Sequence, residues 1–184
     1  MPDEEIAIED PRAADVRTLL ERHLEFSNSQ SPPEDAHALD VDGLLDPAVT
    51  FFSFRLDGVL LGVAALKRLN EHHAEVKSMH TASAARGRGI GRALVDHLIG
   101  VARDRGLERL SLETGSMAAF APARAPYANA GFRPCEPFGD YVPSRYSTFM
   151  TLVLVSGYEC SNTCCHSRPL TSGNVRPGPS PERG

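Results

Sequence analysis

The stretch ARGRGIGRAL, residues 85–94, sets glycines at 87, 89 and 91 among arginines at 86, 88 and 92, then runs into a helical pattern. Small residues let a backbone approach a ligand closely, and the first N–H groups of a helix have no partner within it. A glycine loop that opens a helix is therefore shaped for an anion, and a diphosphate suits it well. Two common phosphate loops do not fit. A P-loop ends in Gly-Lys-Ser/Thr, and neither the lysine nor the hydroxyl follows here. A dinucleotide fingerprint wants glycines at relative positions one, three and six, which from Gly87 fall on Gly87, Gly89 and Arg92. The strands before the loop also read as a meander, not as half of a βαβ unit.

Working outward, HAEVKSMHT at 73–81 alternates as a strand leading into the loop. Before it, VTFFSFRLDGVLLGVAALKRL at 49–69 is two runs of aromatic and β-branched residues joined at Asp57-Gly58, a favoured hairpin turn. IAIE at 6–9 predicts a first strand, and Asp10-Pro11 predicts a helix start, with Val16, Leu19, Leu20, His23 and Leu24 on one face. A loop over SNSQSPPEDA and a short helix through HALDVDGLL complete the N-terminal half.

After the loop, Ile90, Leu94, Leu98, Val101 and Ala102 share a helical face that Gly106 closes. LERLSLET predicts a strand and the centre of GSMAAFAPARAPYANAGF a helix, while FRPCEPF and RYSTFMTLVLV supply the last strands. The order β α α β β β α β α β β predicts a mixed α/β (α+β) domain: seven strands, mostly antiparallel in one twisted sheet, flanked by four helices.

At 184 residues the chain suits one domain, expected over 1–155, with a tail over 156–184 rich in Ser, Pro, Gly and Cys and expected to be disordered. A hydrophobic fraction of 41% with no apolar run of membrane-spanning length argues against a membrane partner, and a formal net charge of -5 argues against nucleic acid. The acidic start MPDEEIAIED is unlike a secretory signal, so a cytoplasmic location is expected. Cys135 reads as a small strand residue. Cys164, Cys165 and His166 are consecutive, a poor arrangement for one tetrahedral ion, so no metal is expected.

Within EVKSMHTASAARGRGIGRALVDHLI, the strand, the Arg-x-x-Gly-x-Gly signature of Arg86, Gly89 and Gly91, and the following helix resemble the acetyl-CoA motif of the GNAT superfamily of N-acetyltransferases. APARAPYANAGF resembles that superfamily's second hallmark, a helix with a tyrosine ending at Gly-Phe, here Tyr127, Gly131 and Phe132. SPPEDAHAL, LETGSMAAFAPAR and CEPFGDY are similar, more narrowly, to the YsnE-like branch of bacterial acetyltransferases.

The resemblance implies a GNAT-like fold and acetyl-CoA as cosubstrate. It places Met79, His80 and Thr81 along the cofactor arm and the diphosphate over Arg86, Gly87, Arg88, Gly89, Ile90, Gly91 and Arg92. It implies Glu75 as the base for the incoming amine, with His72 and His73 as rivals, and Tyr127 as the proton donor to the departing thiolate. The acceptor site would draw on Glu34 and His37 after the first helix and on Asp140, Tyr141 and Arg145 before the last strand. The expected activity is acetyl transfer to a primary amine of a small-molecule or amino-acid-like acceptor, by an enzyme with a homodimer left open. Phe120 stands where many relatives carry a cofactor-contacting asparagine, and Pro126 lies inside the tyrosine helix. Both motivate an alternative, an acyl-CoA-binding regulatory module with little or no turnover.

Overall fold

A computed structural model of the chain describes residues 3–30 and 39–154. In chain order the elements are β1 (Glu4–Ile8), α1 (Ala14–Gln30), α2 (Val41–Leu44), β2 (Val49–Leu56), β3 (Val59–Arg68), β4 (His73–Thr81), α3 (Ile90–Asp104), β5 (Arg109–Gly115), α4 (Ala121–Asn129), β6 (Arg133–Pro134) and β7 (Ser147–Val153). They follow the order read from the sequence. The seven strands form one sheet, β1-β2-β3-β4-β5-β7-β6, in which only the β4–β5 pair is parallel. No helix among the described residues is long and apolar enough to cross a membrane.

Turn chemistry sets the hairpin. Asp57 and Gly58 both take positive φ (48° and 78°), the tight turn whose twist matches the flanking strands. The first helix departs from expectation at both ends. The Asp10 side chain accepts from the Arg12 backbone N–H at 2.9 Å and its carbonyl from the Ala13 N–H at 3.0 Å, so Asp10-Pro11 makes a turn and the helix begins at Ala14. It then runs to Gln30 through residues expected to be loop, because neither Gly nor Pro interrupts it before Pro32.

Two apolar clusters hold the layers together. On one face α3 buries Ile90, Leu94, Val95, Leu98, Ile99 and Ala102 against Ala64, Leu66, Ala74, Val76, Leu110 and Leu112 of the sheet. Gly62 on β3 permits that approach, since a Cβ there would stand 2.9 Å from Ile90 Cγ2. On the other face Val16, Leu19 and Leu20 of α1 and Leu44 of α2 cover Phe51, Val63 and Ala65. Truncating a fully buried leucine such as Leu94 to alanine would cost about 2–5 kcal/mol.

At its C-terminus α3 closes as the sequence indicates. Gly106 takes φ 70°, its N–H bonds the Arg103 carbonyl (2.9 Å) and the Leu107 N–H bonds the Ala102 carbonyl (2.9 Å), the paired bonds of a Schellman cap.

Candidate active site

The parallel β4–β5 seam is short. Its register runs His73↔Arg109, Ala74↔Leu110 and Glu75↔Ser111, and then stops. Each strand continues with its other neighbour, β4 with β3 to Thr81 and β5 with β7 to Gly115, so the two inner edges diverge. A cavity of about 730 Å³ opens in that gap, lined from β4 by Val76 to Thr81 and from β5 by Glu113, Thr114 and Gly115. Within β4 the pairing shifts between Ala65↔Lys77 and Val63↔His80, leaving Ser78 and Met79 opposite Ala64. This bulge puts Ser78 at φ 49°, unusual for a residue with a side chain and a local twist that re-aims the strand beside the cavity.

The glycine loop lies at one end of the gap. Gly87 and Gly89 have φ of 75° and 85°, and Gly89 caps α3 without any side chain in the way of the helix N–H groups. Gly91 sits within the first turn, where an added Cβ would meet only ordinary contacts, Pro126 Cγ at 3.6 Å and Met79 Cε at 3.8 Å. Of the ten residues expected to meet the cofactor, nine line the cavity and Arg88 does not. Arg92 also pairs with Asp96 at 2.7 Å.

The opposite wall comes from α4. Tyr127 is 6% exposed, lines the cavity and packs edge-on against Phe132 at 5.6 Å, and burial pushes its phenol pKa upward. Phe120 lies on Gly115, where an added Cβ would come within 2.4 Å of the ring, and its ring centroid is 5.3 Å from that of Phe26 on α1. It packs between β5 and α1 and also lines the cavity. Helix α4 runs through Pro126 unbroken, and Arg124 ties it to the end of β5 by donating to the carbonyls of Gly115 and, just past the strand, Met117.

On the α1 face, a buried polar cluster adjoins the end of the seam. Glu75 is 3% exposed and accepts from the Tyr141 hydroxyl at 2.6 Å. That hydroxyl accepts from Lys77 Nζ at 2.7 Å, and Nζ stands 3.3 Å from Glu75 Oε1. Burial first, then the negative charge of Glu75, raise the Tyr141 pKa, which keeps it a neutral phenol. Lys77 and Glu113 line the cavity, whereas Glu75 stands behind them.

The other candidates separate. Asp140 is exposed, Arg145 is exposed and stacks over the Tyr146 ring at 4.7 Å, and Glu34 and His37 lie outside the described residues, as do Cys160, Cys164, Cys165 and His166. His72 faces Glu108 at 3.4 Å, away from the cavity. His73 Nε2 lies 2.8 Å from Ser111 Oγ, which donates to Thr151 Oγ1, whose own proton goes to the Leu110 carbonyl. Ser111 therefore receives the His73 N–H and is no nucleophile. Cys135, expected in a strand, lies just past the end of β6, its N–H bonded to the Phe149 carbonyl (3.0 Å), and burial raises its thiol pKa, unlike that of an activated nucleophile.

Sequence reasoning missed Glu113, Phe26 and the cavity-facing role of His23. For Glu113 a signal existed: it lies two residues beyond Ser111 in an alternating strand, on the same face as Glu75's partner.

Comparison with known proteins agrees with this architecture. Residues 14–132 match the acetyltransferase (GNAT) family. The chain is 44% identical over 146 residues to the uncharacterized N-acetyltransferase YsnE of Bacillus subtilis, covering 79% of this chain and 97% of that one. It is 44% identical over 144 residues to the uncharacterized N-acetyltransferase YedL of Escherichia coli, covering 78% and 91%. A crystal structure from Klebsiella pneumoniae, assigned as an acyl-CoA N-acyltransferase, superposes with a TM-score of 0.70 at 25% identity, covering 83% of this chain and 98% of that one. A glycine loop on a helix N-terminus, a splayed parallel seam and a buried tyrosine thus have one common explanation: the chain belongs to the acetyltransferase (GNAT) family and is an acetyl-CoA-dependent acetyltransferase.

Proposed function

We propose that the acetyl group passes to a primary amine of a small-molecule or amino-acid-like acceptor, which meets the cavity on the face carrying Glu75, Lys77, Glu113 and Tyr141. The observation that carries this reading is the buried Glu75–Tyr141–Lys77 cluster at the point where β4 and β5 part. A carboxylate buried among hydrogen-bond partners beside a substrate cavity is suited to receive a proton, and an amine must shed one before or during attack.

The residues present suit acetyl-CoA. Positive-φ glycines open a helix N-terminus fit for a diphosphate, and the unpaired inner edge of β4 offers backbone groups to an extended amide-bearing arm. Acetyl-CoA supplies the acetyl group as an activated thioester. Arg86, Arg92 and the backbone of Gly87 to Gly91 hold its diphosphate, and Met79, His80 and Thr81 border its arm. Tyr127 stands across the cavity as a neutral donor that returns a proton to the thiolate as it leaves.

Glu75 works at one remove in this reading. Glu113 and Lys77 face the acceptor, and the proton reaches Glu75 by relay: Lys77 Nζ gives a proton to the Tyr141 hydroxyl, which gives its own to Glu75, and Nζ is reprotonated by the acceptor amine. Because burial and the Glu75 charge disfavour phenolate, the two transfers occur together. Against the regulatory-module alternative, Pro126 does not remove Tyr127 from the cavity.

The test is to screen amines for CoA thiol release with the wild type, Glu75→Gln, Glu113→Gln and Tyr127→Phe, after calorimetry has shown that each binds acetyl-CoA. Loss of about 10²-fold or more in kcat for Glu75→Gln and Tyr127→Phe, with acetyl-CoA affinity kept, is the expected result. Full turnover in both variants would defeat the assigned roles.

A further inference from the structure

The α1 wall of the cavity carries a polar group that none of these roles uses, His23. His23 on α1 and His80 on β4 both line it, with ring centroids 5.0 Å apart and planes at 45°. Burial lowers the pKa of each to about 4, helped at His80 by the charges of His23 and Arg86, so both imidazoles are neutral near pH 7. Each then holds one donor and one acceptor nitrogen. His23 Nδ1 is enclosed and has no hydrogen-bond partner among the described residues. An enclosed N–H left unmet is rarer than an unmet acceptor, so the proton belongs on Nε2, the nitrogen left to meet a ligand.

Position along β4 identifies what that N–H meets. His80 lies between the bulge at Ser78 and the loop that begins at Arg86, whose charge it feels. A ligand with its diphosphate at the loop and its thioester near the bulge must lead the intervening arm past this pair, and the polar groups of that arm in coenzyme A are secondary amides. A neutral imidazole offers no charge to a phosphate, whereas an Nε2–H matches a carbonyl oxygen. We propose that His23, braced by the ring of His80, donates from Nε2 to an amide carbonyl of the acetyl-CoA arm, a side-chain grip facing the backbone edge of β4. The proposal rests on the reading of this cavity as the acetyl-CoA site.

The experiment is calorimetric titration of the full chain with two ligands, acetyl-CoA and its nucleotide half, 3′-phospho-ADP, which lacks the arm. Wild type, His23→Leu and His23→Gln are compared, with thermal melts to show that each is folded. His23→Leu weakens acetyl-CoA binding roughly five- to tenfold and leaves 3′-phospho-ADP unchanged, as expected for one lost hydrogen bond. His23→Gln, which keeps an N–H donor, recovers most of the affinity. Equal losses for both ligands, or none for acetyl-CoA in His23→Leu, would overturn the proposal, as would a change confined to the KM of the acceptor. Should His23→Leu fail to fold, His23→Gln decides the matter against His23→Met, which fills similar space without a donor. If wild type binds neither ligand, the cavity reading itself fails, and that outcome is distinct from every variant-specific one.

Discussion

Gly115 is the position where one methyl group should matter most. It ends β5 beneath the Phe120 ring, and a Cβ there would lie 2.4 Å, 2.5 Å and 2.8 Å from three of the ring atoms. Real Cβ contacts do not come that close, so in Gly115→Ala the ring must move. It is 7% exposed and packs on Phe26, and overpacking of this kind costs about 1–3 kcal/mol. For a chain of this length that corresponds to a fall in Tm of roughly 2–12 °C. Differential scanning calorimetry of Gly115→Ala, Phe120→Ala and the double variant forms a cycle that isolates the contact. Phe120→Ala alone costs about 3–5 kcal/mol through its cavity. In that background the added methyl meets no ring and should cost less than about 0.5 kcal/mol, giving a coupling of about 0.5–3 kcal/mol. If Gly115→Ala costs the same with and without the ring, the steric argument is wrong.

The two kinds of loop glycine should part company. Gly89→Ala forces φ 85° on a residue with a Cβ, costing about 1–2 kcal/mol and weakening acetyl-CoA binding, whereas Gly91→Ala, in helical backbone with only ordinary contacts, should leave stability unchanged or slightly raised; urea unfolding and calorimetry read both. Acid should destabilise the fold through His23 and His80. The unfolded chain takes up their protons as pH falls through about 6.5, the folded chain only near 4, so stability is full above that window and declines through it, by at most about 3 kcal/mol per imidazole. His23→Leu should flatten the decline seen by urea melts between pH 7 and 4, and an unchanged slope would exclude His23 as a contributor. Pro126→Leu restores a backbone donor inside α4 and should leave Tm unchanged or higher; a clear fall would show that the proline ring packed beside Gly91 outweighs the regained hydrogen bond.

Element order was legible because each element carries a local cause. The paired positive-φ residues at Asp57-Gly58, the apolar face of α3 and its Gly106 cap all appear in sequence as they act in space. The start of α1 differs from expectation because Asp10 followed by Pro11 serves a turn as readily as a helix cap, and here the Asp10 carboxylate is taken up by the Arg12 backbone N–H and guanidinium. The same limit applies at the site. Gly87 and Gly89 were readable, since positive φ favours glycine wherever the rest of the chain goes. Glu75 was readable as a candidate, but its screening by Lys77 and Tyr141 was not, because Tyr141 arrives from a residue 66 positions away. The placements of Phe120 on Gly115 and of His23 beside His80 are likewise products of packing between elements, invisible to any local pattern.

Within the sheet, the ladder between the β1–β4 half and the β5–β7 half is only three residue pairs of parallel pairing, with α3 packed across both halves. Antiparallel ladders on either side are longer and lock their own halves, so the seam is where the sheet yields first. A ligand laid along the inner edge of β4 serves as a removable length of strand, and its binding energy adds to the resistance of this line to opening. Amide exchange along β4 and β5 should therefore slow on loading with acetyl-CoA, while β1 and β2 exchange as before. In mechanical terms the enzyme is two stiff plates on a short hinge line, and its substrate is the pin.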